Sequence, residues 1–338
     1  MMSLAFAGGL RTHPEAGQST KSDILPVAGP IAYVRAPEPT TGNAMIPLRF
    51  DFGKTGAMAS IRCVIGRQFG AYSLRLDGLR VDNRFVPGAS VLAQRWQALV
   101  FPLHGELRLD GERLGERRVL LAALRSLTST GDPMPHVVSS DSELVALRLR
   151  ADVVASPAQG ARIASISPGT AEALRALAPC VKAGDLEAAL AQTRAAVRAL
   201  ALDHILTEGA DLPSEEPNGS LVARAVSSIF PIVSKLATKP MLVDVVARTG
   251  ISERQILRDF LKVQVEYDLL DRGWRESLVR WRTTLAVLLL SVDRLSIEEI
   301  AALAGYSGPT AMGRALREAG LPTASAIRAG LREGAGVS

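Results

Sequence analysis

Apolar positions along this chain follow two different periods, and the change from one to the other divides it. Between about residues 44 and 154, short apolar runs alternate with Gly, Asp, Asn and Pro. The runs at 60–65, 71–76, 90–92, 97–102, 106–109, 118–122 and 144–149 have the length and spacing of strands in an antiparallel sandwich or barrel. Asp110-Gly111 is a turn signal between alternating segments. From Ser167 the period becomes helical. Residues 171–181 and 186–206 are rich in Ala and Leu, with Gly184 and Asp185 at the corner between them. Leu186, Ala189, Leu190, Thr193 and Val197 form one stripe along the second of these helices. Residues 208–220 carry Gly, two Pro and four acidic side chains and read as a linker. A third helical run, 221–237, follows it.

The expected organisation is therefore a tail at 1–40, a β-rich domain at 41–165, a helical connector and linker at 166–220, and an all-α domain at 221–338. The fold class is α+β. A length of 338 residues supports two separate cores. Hydrophobic content of 47% with 22% charged residues is that of an ordinary soluble chain. A formal charge of +5 permits a polyanionic partner without requiring one.

The two cysteines, Cys63 and Cys180, lie far apart in no metal-like spacing, which points to a reducing compartment. Near the start, the apolar patch Leu4-Ala5-Phe6-Ala7 precedes Arg11, the reverse of a secretory signal's order. The most apolar stretch, 278–292, is broken by Arg280 and Arg282 and is too short to span a bilayer. A cytoplasmic protein without a membrane partner is expected. His13, His104, His136 and His204 show no ligand spacing, and Gly8-Gly9 is no phosphate loop. No catalytic residue, metal or cofactor is assigned, and the chain is not read as an enzyme.

The most specific pattern lies near the carboxyl end. In residues 241–260, Leu242, Val245 and Val246 share one helical face, Gly250 allows a tight turn, and Ser252 is placed to cap a second helix. Ile256, Leu257 and Phe260 are the expected buried face of that helix, leaving Glu253, Arg254, Gln255 and Arg258 outside. This is a helix-turn-helix, whose second helix presents its first residues to the DNA major groove. Residues 296–317 repeat the plan. Ile297 and Ile300-Ala301 lie in a first helix, Gly305 forms the turn, Ser307 is the expected cap, and a second helix starts near Pro309. An apolar helix at 275–291 joins the two units.

On these residues the chain resembles the AraC/XylS family of transcription regulators, over about residues 236–328. The first unit contributes Ser252, Ile256, Arg258 and Phe260 to the match. The second contributes Ser296, Ile297, Ile300, Ala301, Gly305, Tyr306, Ser307, Arg314, Ala315 and Leu316, with Arg328 beyond it. The resemblance implies a DNA-binding domain of seven helices, with both recognition helices entering successive major grooves on one face of the duplex. It also implies a variable amino-terminal domain that senses an effector or dimerises. The segment 99–113 similarly resembles the strand–turn–strand core of cupin-like sensor domains. Met312 and Leu316 stand where the family usually carries aromatic residues.

Arg254 and Gln255 match the side chains that read guanine and adenine edges, and Glu253 could accept from cytosine. The plainer reading is a solvated, ion-paired helix face. Arg258 and Arg314 suit either phosphate contact or bracing of the fold. Thr310 offers the second recognition helix its one side-chain hydrogen bond near the start. The expected site is thus Ser252, Glu253, Arg254, Gln255, Arg258, Ser307, Thr310 and Arg314. Its partner is double-stranded DNA at a promoter or operator, with RNA polymerase and a small-molecule effector as further candidates and a homodimer as the expected assembly. The alternative is a cupin-like enzyme with a helix-turn-helix appendage.

Overall fold

The computed structural model describes residues 44–52, 55–66, 69–88, 95–128, 135–210, 240–267 and 273–333. The tail, the strand expected at 90–92, most of the linker and the helical run at 221–237 lie outside the described residues.

The first region is one antiparallel sheet. Its strands are β1 (Ala44–Asp51), β2 (Met58–Ile65), β3 (Phe69–Asp77), β4 (Arg80–Asp82), β5 (Trp96–Leu109), β6 (Glu112–Arg113), β7 (Arg118–Ala123), β8 (Val137–Arg150) and β9 (Ala161–Ser165). The main path runs β1-β2-β3-β8-β5-β7-β9, with β4 paired to β8 and β6 to β5. Strand β8 lies at the centre and is buried on both faces. Leu144 and Ala146 point into one core, Val145, Leu147 and Leu149 into another. Double burial explains why the sequence shows apolar runs here rather than strict alternation.

The runs at 97–102 and 106–109 are a single strand, β5, with register shifts on either side of His104. A bulge of this kind breaks the period without breaking the strand. Gly105 makes it feasible. Its φ is +79°, and a side chain there would meet the Asp141 carbonyl oxygen at 2.0 Å. His104 itself is exposed. Asp110 and Gly111 both adopt positive φ, 51° and 85°, as a tight hairpin turn between β5 and β6 requires.

Helices α1 (Pro168–Ala183) and α2 (Leu186–Leu202) cover the second face of the sheet. Ser167 caps α1 through Thr170 N–H, Gly184 ends it at φ 79°, and the Asp185 carboxylate starts α2 by accepting from Ala188 N–H. Helix α2 stops at Leu202 rather than 206, and Leu206 instead bridges Val154. The stripe on α2 is interior. Ala189, Thr193 and Val197 are fully covered, with Leu186 and Leu190 packed at its edge. That stripe belongs to the core of the sheet region and is not available as a surface for a second copy of the chain.

The helical region comprises α3 (Leu242–Thr249), α4 (Glu253–Tyr267), α5 (Trp274–Leu290), α6 (Ile297–Leu303), α7 (Pro309–Glu318) and α8 (Ala324–Glu333). Helix α5 is its axis, burying Trp281, Leu285, Ala286 and Leu289 among others. Around it gather Val245, Ile256 and Phe260 from the first helix pair, and Ile300, Met312, Leu316 and Ile327 from the later helices. Met312 and Leu316 are fully buried, so aliphatic side chains fill the place of the expected aromatics.

The sheet touches this region through β4. Arg80 N–H donates to Ser291 Oγ at 3.1 Å, and Arg80 Nη1 donates to the Leu331 carbonyl at 2.6 Å. Beside this contact lies a cavity of about 360 Å³, with Arg80, Glu106 and Asp141 on the sheet side and Asp293, Arg328 and Arg332 on the helical side.

Candidate nucleic-acid interface

Each helix pair turns on a glycine in the left-handed region. Gly250 ends α3 at φ 67°, with its N–H on the Val246 carbonyl. Gly305 follows α6 at φ 82°, with its N–H on the Ala302 carbonyl. A side chain would strain both positions. The entry to α3 is fixed by Asp244, whose carboxylate accepts from Met241 N–H at 2.8 Å. The entry to α6 is a full capping box. Ser296 Oγ accepts from Glu299 N–H at 3.1 Å, and the Glu299 carboxylate accepts from Ser296 N–H at 2.7 Å. The Ser296 hydroxyl also donates to the Glu299 carboxylate at 2.8 Å. The two hydrogen bonds that this carboxylate accepts from Ser296, backbone first and hydroxyl second, hold it below its usual range.

Helix α4 begins as expected. Ser252 Oγ accepts from Gln255 N–H at 3.3 Å. Ile256, Phe260 and Val263 point inward, and Phe260 meets Trp274 edge-to-face with ring centres 6.3 Å apart. Leu257 does not join them. It is 39% exposed, a correction to the expected buried face. One residue of α-helix turns about 100°, so with Ile256 at the centre of the inner face its neighbour falls on the flank.

The outer face carries Glu253, Arg254, Arg258 and Lys262, all exposed. Arg254, Arg258 and Lys262 stand four apart and form a basic row, and the sequence reading missed its third member. The spacing of four was there to be seen. Gln255 is less open than its neighbours. It is half-buried, and its Nε2 donates to Asp259 Oδ1 at 2.6 Å, while Arg258 Nη1 reaches its Oε1 at 3.5 Å. Asp259, 1% exposed, was not singled out in the sequence, where an acidic residue at that spacing looks like one more solvated charge. Arg254 makes no hydrogen bond or ion pair with a described residue and remains open to a ligand.

Helix α7 starts differently from the expectation. Its cap is Gly308, with extended backbone and no side-chain hydrogen bond, and Pro309 opens the first turn. Ser307 is therefore an exposed turn residue and not the cap. Proline at the first helical position needs an extended residue before it, and this moves the cap one place along. Thr310, Arg314 and Arg317 face outward, with Met312, Ala315 and Leu316 beneath. Tyr306 anchors the turn to α5 by a 3.1 Å hydrogen bond between its hydroxyl and that of Thr283. Burial pushes the Tyr306 phenol up, and the bond to Thr283 and the nearby Arg282 only partly oppose this.

Two amphipathic helices packed on one buried axial helix thus present exposed starts and exposed basic side chains, Arg254 and Arg258 on α4 and Arg314 and Arg317 on α7. Among the described residues no group of three or more His, Cys, Asp or Glu is placed to hold a metal ion. No described helix is long and apolar enough to cross a membrane.

No family model and no curated relative matches the sequence. Among solved structures, ToxT from Vibrio cholerae is similar at 9% identity and TM-score 0.32, covering 77% of this chain and 98% of that one. An apo form of a ToxT point variant from Vibrio cholerae strain SCE256 gives 11% identity and TM-score 0.32, with 77% and 97% covered. The AraC-like transcriptional activator CuxR gives 10% identity and TM-score 0.30, with 67% and 80% covered.

Proposed function

We propose that the chain is a sequence-specific DNA-binding transcription regulator whose helical region reads double-stranded DNA at a promoter or operator. One observation carries this reading. Two helix pairs, each turning on a left-handed glycine and each exposing the start of its second helix, are fixed to a common axis by α5. Recognition helices of this kind present their first residues to base edges. The exposed, basic row of α4 suits that role, and the AraC/XylS resemblance of the same helix pairs, which includes Arg258, supports it.

The two units divide the work. In α4, Arg254 is long enough to reach a guanine edge, and Gln255 reads adenine only after leaving Asp259. Ser252 and Glu253 flank them, and Arg258 holds phosphate. In α7 only Thr310 offers a hydroxyl near the start, beside the turn residue Ser307, so Arg314 and the helix amides serve mainly to position the backbone.

The sheet region senses an effector or dimerises, and does no catalysis. The cavity of about 360 Å³ beside β4 has the size of a small-molecule site and supports the sensing role. A homodimer would use a surface other than the covered stripe of α2. RNA polymerase is the further partner that a regulator implies, and the working place is the cytoplasm.

The test is selection of binding sites from random duplexes by the full chain, followed by titration on the winners. Enrichment of a sequence with two contact blocks supports the reading. A pool that stays random after repeated rounds removes it.

A further inference from the structure

The carboxyl end of a helix leaves its last carbonyls without intrahelical partners, and a cation there also meets the negative end of the helix dipole. At α8 the partner comes from the sheet. Arg80 of β4 donates from Nη1 to the Leu331 carbonyl at 2.6 Å, in the last turn of the helix. Its backbone N–H donates to Ser291 Oγ at 3.1 Å, at the residue that ends α5. A little further on, Phe85 lies against the α8 backbone, where a methyl group placed on Gly330 would stand 2.7 Å from the ring. Phe85 is itself held in place. The short 3-10 turn Asn83–Phe85 is capped by Asp82, 1% exposed, which accepts from Arg84 and lies 3.0 Å from His136 Nε2.

The other side of α8 is tied to the second helix-turn-helix. Arg328 Nη2 donates to the Leu295 carbonyl, and Arg332 pairs with Asp293, each at 2.7 Å. Ile327 and Leu331 are buried in the core that also holds Ile300, Met312 and Leu316. Leu331 therefore belongs to both sides, its carbonyl on the sheet's arginine and its side chain among the helices.

We infer that Arg80 is a positioning residue for DNA binding, acting from the sheet through α8 on the second unit. This rests on the DNA-binding reading above. The brace leaves the reading faces uncovered, since Arg254, Thr310 and Arg314 are exposed while it is closed. It works by holding the second unit still, so that less freedom is lost on binding.

The experiment uses the full chain with Arg80→Gln and Arg80→Lys, on the selected operator and on a duplex whose second contact block is scrambled. Arg80→Gln weakens binding to the intact operator about five-fold, the order of the net contribution of one ordinary hydrogen bond. It binds the scrambled duplex as the unaltered chain does, and Arg80→Lys recovers most of the loss. Hydrogen exchange speeds up across α7 and α8 and not in β8. Equal affinity of all three proteins, an equal loss on both duplexes, or unchanged exchange in α7 overturns the inference. Should Arg80→Gln fail to fold, Gly330→Ala pushes Phe85 off α8 beside the Arg80 contact, loosening the same sheet–helix junction, and is read the same way. If the unaltered chain binds no duplex, the DNA-binding reading falls and exchange alone decides the brace. Acceleration reaching α7 supports it, and acceleration confined to the last turn of α8 overturns it.

Discussion

Among the residues of the outer faces, Arg254 and Arg314 differ in what surrounds them more than in exposure. Arg254 stands at the start of α4 beside Gln255, and Arg314 stands in the second turn of a helix whose start carries only Gly308, Pro309, Thr310 and Ala311. A guanidinium at a recognition helix start can read guanine, and one set further back meets phosphate. Arg254→Ala is expected to cost about 1–3 kcal/mol on the selected operator and to relax preference at one base pair. Arg314→Ala should weaken operator and random DNA alike. Titrating both variants on the operator and its single-base changes checks this, and an equal loss on every sequence for Arg254→Ala would refute the division. Gln255 shows why residue type alone is insufficient. Its amide is the right group for adenine, yet it already has a partner in Asp259.

At the scale of elements, the strongest local signal is the capping box that opens α6. Replacing Ser296 by Ala should cost about 1 kcal/mol, as caps of this type do. The box also makes the helix start sensitive to acid. Glu299 is held below its ordinary value of 4.5 by the two hydrogen bonds from Ser296, so its contribution is complete above that value. It fades as the pH falls through the lower, folded-state value. Glu299→Gln, which keeps an acceptor but cannot titrate, should therefore lose part of this acid sensitivity. Unfolding of both proteins, followed from neutral pH to well below 4.5, measures the difference. Parallel pH profiles would show that the carboxylate does not matter to α6. Elements also explain the bulged strand β5, where Gly105 passes so close to the Asp141 carbonyl that no side chain fits.

For the whole molecule, the basic rows on α4 and α7 set the electrostatic expectation. Arg254, Arg258, Lys262, Arg314 and Arg317 are all exposed and lie on the two outer faces. If these five neutralise phosphates, each contact adds about −0.9 to the slope of log affinity against log salt, giving about −4.5 per chain. Titration of the full chain on its selected operator at several salt concentrations reads this directly. A slope near zero would mean that the faces do not meet phosphate. The net charge of +5 alone could not have located these cations on one surface.

The sequence by itself determined the division into a sheet region and a helical region, the two glycine turns and the paired helices around them. Those features rest on short-range rules: period, capping residues and the backbone freedom of glycine. It also marked Glu253, Arg254 and Arg258 as outward-facing, because a helix's inner face is legible once three or four buried positions are known. Only the tertiary structure decided that Leu257 lies on the flank, that Gln255 is engaged by a buried aspartate, and that the stripe of α2 is core. It decided too that Gly308, not Ser307, caps α7, a shift of one residue that periodicity cannot resolve. The contact of Arg80 with Leu331 lay furthest from reach. The two residues are 251 positions apart, and no local pattern announces which carbonyl a distant guanidinium will find.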